Sequence, residues 1–382
     1  MNGLAIGLRY GNQVNALNPA SYSAIDSLTM VFDVGLSGQV THFKEGGITR
    51  NAKNADFEYA VAAFRAMPNV GISVGLIPFT NIGYNYSTTQ RIGTSTSTST
   101  ETHSGSGGIH QAFLGVGWHI FGGLSVGANF SYLWGSYDKT ISTSSSDSYV
   151  NSVEKTYSAD VKSYKLDFGL QWQQKINKAD ALTLGATVGI GHKLNADPYV
   201  TTTTSNSQSG ASSDTTATVA NGLAIPMTYG VGVSWTHANK LTVGVDYTLQ
   251  QWGDVDIPAT DASTGLYALR SGLLKDRHKV TLGGEWVPNE MGQNFFGRIR
   301  YRVGVAYATP YIKVNGQDGP KEYSVSAGFG IPITNGWNNR SLLNISAQWV
   351  RSEAAAFITE NTFRINIGLT FNERWFMKWK VE

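Results

Sequence analysis

The stretch NTFRINIGLTFN (361–372) decides the fold. Phe363, Ile365, Ile367, Leu369 and Phe371 fall on one side of an extended chain, and Arg364, Asn366, Gly368, Thr370 and Asn372 on the other. Period two is the signature of a β-strand with one apolar and one polar face. The same alternation governs 240–252, where Leu241, Val243, Val245, Tyr247 and Leu249 interleave with Thr242, Gly244, Asp246, Thr248 and Gln250. It also governs 27–43, where Leu28, Met30, Phe32, Val34 and Leu36 alternate with Thr29, Asp33, Gly35 and Ser37. Similar runs near 56–66, 69–87, 108–120, 124–140, 158–174, 181–194, 226–237, 277–287, 298–309, 321–331 and 341–351 bring the total to about fourteen strands. Each approaches the ~9–11 residues that a tilted membrane strand needs.

The connections alternate in length along the chain. Short ones fall near 67–69, 121–123, 175–180, 238–239, 288–297 and 332–340. Long ones fall near 44–55, 88–107, 141–157, 195–225, 253–276, 310–320 and 352–360. Membrane β-barrels show this asymmetry, with tight turns at one rim and longer loops at the other, and an even strand count returns both chain ends to the short-turn rim. Two of the long connections, IGTSTSTSTETHSGSGG (91–107) and TTTTSNSQSGASSDTTATV (201–219), are Ser/Thr-rich. Flanked by strands they read as surface loops, and their Thr content favours extension of the strands as hairpins.

Composition agrees. The chain has 382 residues, of which 15% are charged, with 18 Tyr, 16 Phe, 10 Trp and 43 Gly. Aromatic residues in such number suit the two interfacial girdles of a barrel. The apolar faces carry Trp118, Phe130, Trp134, Trp172, Trp235, Trp286 and Trp349. A single closed sheet has no second protein layer to cover them, so lipid does. No stretch reaches 18 uninterrupted apolar residues, which excludes a transmembrane helix. A net charge of +2 without a basic run gives no footing for nucleic acid. With no cysteine, disulfides, thiolate metal sites and cysteine nucleophiles are excluded. Met1 to Tyr10 lacks the basic and apolar regions of a signal peptide, so an exported chain of this sequence is a mature or trimmed form.

The polar faces contain Asp33, Gln111, His119, Asn129, Lys165, Asp167, Thr183, Asp246, Glu285, Arg300, Arg302, Asn344 and Arg364. Charges are costly against lipid, so these point into the lumen. Fourteen strands enclose more than side chains alone fill in an eight-stranded barrel, and less than an open porin. The first 26 residues show no alternation and are rich in Gly and Asn. They are the candidate for an internal hatch or plug (1–26), with the barrel formed by 27–382.

Catalytic signals do not survive their context. GxSxG occurs at 71–75 and 123–127, but a nucleophile elbow needs a strand–turn–helix, and both copies lie in alternating strands. The seven His residues have no metal-ligand spacing, and neither a P-loop nor GxGxxG is present. No cofactor, metal or enzymatic activity is expected. Arg300 and Arg302 are able to grip a ligand carboxylate in bidentate fashion. Glu285 on the neighbouring strand offers the alternative, a cross-strand ion pair in the lumen wall or an anchor for the hatch.

With these residues in view, the sequence resembles the FadL-type outer-membrane transport family (fatty acids and aromatic hydrocarbons). Asn18-Pro19-Ala20, just before the first strand, is similar to that family's NPA motif at the hatch–barrel junction. Ile225-Pro226, GVGVSW (230–235) and VDYTLQQW (245–252) are similar to one block of that family, and LGGEW (282–286) with RIRYRVGVAY (298–307) to another. The likeness runs from about residue 11 to the C-terminus. It departs at the end, where the chain continues into RWFMKWKVE (374–382) instead of stopping on an aromatic residue.

The resemblance implies a fourteen-stranded outer-membrane barrel with a hatch in its lumen. It further implies lateral exit of an apolar ligand through a gap made by a kink in the third strand. Pro78 lies in that strand, and proline removes a ladder hydrogen bond. The expected function is a channel for hydrophobic small molecules, fatty-acid-like or aromatic, with membrane lipid and that ligand as partners. The alternative is a non-transporting barrel of the same family that serves as a subunit of an outer-membrane secretion or assembly complex, with other outer-membrane proteins as partners.

Overall fold

The computed structural model describes residues 1–45, 48–93, 96–261, 264–314, 316–333, 341–354 and 359–373. Fourteen antiparallel strands among them close into a barrel. They are β1 Met30–Glu45, β2 Ile48–Met67, β3 Val70–Arg91, β4 Thr98–Phe121, β5 Leu124–Ser145, β6 Ser152–Lys175 and β7 Asp180–Gly189. The circuit continues with β8 Thr228–His237, β9 Leu241–Gln250, β10 Arg277–Trp286, β11 Arg300–Ala308, β12 Lys321–Ile333, β13 Ser341–Glu353 and β14 Thr359–Glu373. Neighbours in sequence pair in order, and β1 meets β14 through a ladder from Met30↔Glu373 to Lys44↔Thr359. Closure satisfies the strand backbones inside a solvent that offers no hydrogen bonds. The C-terminal stretch 374–382, and residues 334–340 of the short connection expected near 332–340, lie outside the described residues.

The alternation read from the sequence maps onto the two faces of the wall. Val303, Leu114, Phe130, Val231 and Ile367 are exposed on the outside, at 51–61% of their free surface. Ser73, Ser125, Asn129, Ser131, Gln171, Thr183, Asp246 and Glu285 are buried on the inside. Trp118, Trp172, Trp235 and Trp286 stand exposed near the short turns, and Tyr132, Tyr164, Tyr229, Tyr247, Tyr307 and Tyr323 stand exposed further along the strands. These are the two interfacial girdles that a membrane barrel requires. The tight turns use backbone that few residues tolerate, with Asn69 at φ +67° and Gly122 and Gly123 at +52° and +92°.

At the long-loop rim the strands run further than the sequence pattern suggests. The Ser/Thr run assigned to a loop at 91–107 is mostly strand, since β4 begins at Thr98 and pairs with β3 through Arg91↔Thr98. The run at 201–219 folds as a hairpin, Tyr199–Ser205 against Ser212–Thr218, and its first strand extends the sheet by pairing with the start of β6. Threonines stabilise these extensions across strands, as in Thr89–Thr100 at 3.0 Å and Thr140–Thr156 at 3.1 Å. Beyond the lipid the faces have no reason to alternate in polarity, so the period-two signal fades while the strands continue.

Candidate functional site

Residues 1–25 lie against the inner wall of the barrel. Their backbone is held by side chains projecting inward from several strands. Asp246 on β9 accepts the N–H of Ala5 at 2.6 Å and of Ile6 at 2.8 Å. Gln171 on β6, fully buried, donates to the carbonyls of Ile6 at 3.1 Å and Leu8 at 2.9 Å, and accepts from Arg9. Ser234 on β8 donates to the Gly7 carbonyl at 2.7 Å. Asn129 on β5 donates to the Ala16 carbonyl at 3.1 Å and accepts from the Tyr22 hydroxyl. Asn2 bridges Ser324 on β12 and Gln348 on β13.

Asn18, Pro19 and Ala20 are all fully buried and form the joint of this segment. The Asn18 side chain donates to the Ile6 carbonyl at 2.8 Å and the Leu170 carbonyl at 3.3 Å, and its oxygen accepts from Ala20. It thereby caps a 3-10 turn, Pro19–Ala24, where proline at the first position needs no N–H partner. The motif singled out in the sequence is thus a cap and a cross-tie between the segment and β6.

The wall is shaped to receive the segment. Gly71, Gly117, Gly127 and Gly169 stand opposite one another from β3 to β6, and Gly185 faces Gly232 between β7 and β8. A Cβ at Gly71 falls 1.9 Å from the Tyr22 carbonyl oxygen, one at Gly127 2.4 Å from the Pro19 carbonyl carbon, and one at Gly185 2.0 Å from the Ile6 carbonyl oxygen. Two backbones therefore touch along a belt where no side chain fits. Sequence reading missed this belt and missed Gln171 and Ser234. The available signal was a glycine at successive inward positions that pair across strands.

Of the charged residues predicted to line the lumen, Glu285, Arg300 and Arg302 form one cluster on the wall. Glu285 sits opposite Arg302 in the β10–β11 register, and its carboxylate binds Arg302 at 2.6 Å and Arg300 at 3.0 Å. Arg300 also reaches Glu290 at 2.7 Å, and Arg302 reaches Asn344 on β13 at 2.7 Å. Both guanidinium groups thus bind protein carboxylates, while the buried Nη2 of Arg302 has no hydrogen-bond partner among the described residues.

Pro78 lies where the wall changes. The ladder between β2 and β3 runs from Met67↔Val70 to Ala60↔Leu76, and among the described residues it continues no further. β3 remains paired with β4, with a register shift between Pro78 and Thr80 that turns Phe79 inward onto Ile109, Leu133 and Val161. A cleft of about 640 Å³ results, lined by Lys53, Asp56, Glu58 and Arg364 on one side and Ile77, Pro78 and Phe79 on the other. Asn81 spans it by donating to Asp56 at 2.6 Å. The two GxSxG serines are ordinary wall residues, buried in strands, with Ser73 donating to the Ala62 carbonyl. No group of three or more metal-ligating side chains occurs among the described residues.

A closed antiparallel barrel of fourteen strands, apolar outside and polar inside, is the architecture of a membrane-spanning β-barrel. Solved structures agree in fold. The CymD monoaromatic hydrocarbon channel superposes with a TM-score of 0.64 at 14% identity, over 98% of this chain and 96% of that one. The Ralstonia pickettii toluene transporter TbuX gives 0.64 at 14% identity over 96% and 95%. A Pseudomonas aeruginosa FadL homologue gives 0.62 at 12% over 97% and 96%. At such identities the likeness is one of fold. No curated protein matches the sequence. The BamG family model matches residues 1–382, the whole length, and the chain belongs to the BamG family.

Proposed function

We propose that this barrel is a non-transporting subunit of an outer-membrane secretion or assembly complex, with residues 1–26 as a built-in plug and 27–382 as the barrel around it. The observation that carries this reading is the seating of the N-terminal segment. Asp246, Gln171, Ser234, Asn129 and Asn18 bond it to the wall, and the glycine belt brings its backbone against the strands. A lumen occupied this way is a stable body, and the surfaces left for work are the rim and its long extensions. Membership of the BamG family is consistent with a role set apart from that of the hydrocarbon channels.

A second reading has its own support. The structural neighbours are channels for toluene and other monoaromatic hydrocarbons, and the wall of this barrel opens beside Pro78, as lateral exit of an apolar ligand requires. The cleft there, however, carries Lys53, Asp56, Glu58 and Arg364, a lining that does not suit a hydrocarbon. The two readings part on uptake. Cells producing the chain are expected to accumulate labelled toluene or oleate no faster than cells lacking it. Uptake that depends on the chain and falls when Pro78 or Asp246 is replaced establishes the channel instead.

A further inference from the structure

The connection from β10 to β11 is a folded turn rather than a tight one. Its neck is closed by the Asn289 N–H, which donates to the Gly297 carbonyl at 2.7 Å. Inside the neck, Asn294 caps a single helical turn, Phe295–Arg298, by accepting from the Phe296 N–H at 3.1 Å. Two aromatic side chains stand out of this fold. Phe296 is 67% exposed and Phe295 46%, and their rings meet edge to face with centroids 5.6 Å apart. An apolar pair left open at the rim of a barrel marks a contact surface.

We propose that this helical turn dips into the phospholipid leaflet at the short-turn rim, with Phe295 and Phe296 among the acyl chains, and anchors that flank of the barrel. The proposal goes beyond the choice between transport and assembly and holds for a barrel engaged in either.

What covers the two rings follows from what they adjoin. On the outer face of the wall Trp286 pairs with Tyr301, and Tyr301 with Phe329. The ring centroids along this row are 5.6 Å and 5.7 Å apart, and Trp286 and Phe329 are exposed on the lipid side. The row belongs to the aromatic girdle near the short turns. The Tyr301 hydroxyl donates to the Phe296 carbonyl at 3.2 Å. That bond draws the helical turn to the outer side of the wall, so Phe295 and Phe296 carry the lipid-facing row past the end of β10.

Polar groups are arranged to match. From Val287 to Gly297 the sequence VPNEMGQNFFG has one charged residue, Glu290. Its carboxylate is turned the other way, to the inward-facing Arg300 at 2.7 Å. The part of the turn that meets Tyr301 is left without an acidic group, as contact with acyl chains requires. Around Phe296 the backbone is satisfied within the protein, by Asn294, Tyr301 and Asn289, a condition for entering a medium that offers no partners. Arg298 closes the helical turn, and its Nε has no hydrogen-bond partner among the described residues. At the level of the lipid phosphates its guanidinium meets an acceptor that suits it.

The test uses the full chain, purified and reconstituted in phospholipid bilayers, and a sequence without cysteine permits single labelling. A fluorescent label is placed at Phe295→Cys or Phe296→Cys, with Val303→Cys on the lipid-facing wall and Lys178→Cys on another short turn as references. Both phenylalanines are exposed, so the substitutions leave the barrel intact, as heat-modifiable migration on gels verifies. Lipids brominated on their acyl chains are expected to quench both labels at least half as strongly as the label at Val303. Aqueous iodide is expected to quench them about fivefold less than the label at Lys178. Either label as open to iodide as the one at Lys178 overturns the proposal. Labels shielded from both quenchers place a second copy of this chain against the turn, and overturn it too.

Discussion

Replacing Asp246 with alanine tests how the lumen segment is held. In the folded barrel its carboxylate accepts the backbone N–H groups of Ala5 and Ile6 at 2.6 and 2.8 Å, in a site where Asp246 is 4% exposed. Alanine leaves two buried donors without partners, at about 1–3 kcal/mol each, so roughly 2–6 kcal/mol of the segment's attachment is lost. Since about 1.4 kcal/mol is a factor of ten, local opening at these residues rises by roughly 30-fold or more. Hydrogen exchange of the Ala5 and Ile6 amides in detergent, read by mass spectrometry of the N-terminal peptides, gives the number directly. Ser234→Ala supplies an internal scale, since it removes one neutral bond worth about 1 kcal/mol and is expected to accelerate exchange about fivefold. Equal exchange in wild type and Asp246→Ala refutes the claim that the carboxylate holds the segment.

Three further outcomes follow from the same geometry. Gly127→Val places a side chain where the Pro19 carbonyl now sits, and is expected to displace the Pro19–Ala24 turn, seen as new protease cleavage within residues 1–25 while the barrel keeps its β-sheet circular dichroism. Glu285→Gln strips the carboxylate from Arg302 and leaves Glu290 as the carboxylate still paired with Arg300. A loss of about 3–5 kcal/mol in barrel stability is expected by urea unfolding in lipid, with the larger share recovered by adding Arg302→Met. Gly232→Ala puts a Cβ 2.1 Å from Asp246 Oδ1 and 2.9 Å from the Gly7 nitrogen, and is expected to loosen the segment around Ile6, read as faster hydrogen exchange of the Ala5 and Ile6 amides.

The barrel was legible because lipid and lumen impose opposite polarities on successive residues. Wherever both conditions hold, as in 361–372 or 241–250, the alternation read from the sequence coincides with the strand. Where they lapse, the reading falls short. Thr98–Gly107 and Tyr199–Ser205 are strands built mostly of Ser, Thr and Gly, so nothing in their polarity marks a face. The lumen was legible as a set of charges, and the pairing of Glu285 with Arg302 came out of simple strand adjacency. The seating of the N-terminal segment was not, because its principal device is an absence of side chains. Gly117, Gly127 and Gly169 matter through what they let approach, and each alone looks like one glycine among many. Pro78 stood out in the sequence as a proline inside the third strand, and the register shift follows it directly. The extent of the opening, set by the end of a ladder at Leu76, appears only in the pairing of strands.

The central claim, a plugged barrel that works as part of a larger assembly, is met most directly by native mass spectrometry of the protein extracted from its own membrane in mild detergent. The expected result is a barrel that arrives bound to other proteins in fixed ratio and carries no small adduct. A lone barrel bearing a fatty-acid-sized or aromatic adduct contradicts the claim and makes the chain a hydrophobic-molecule channel.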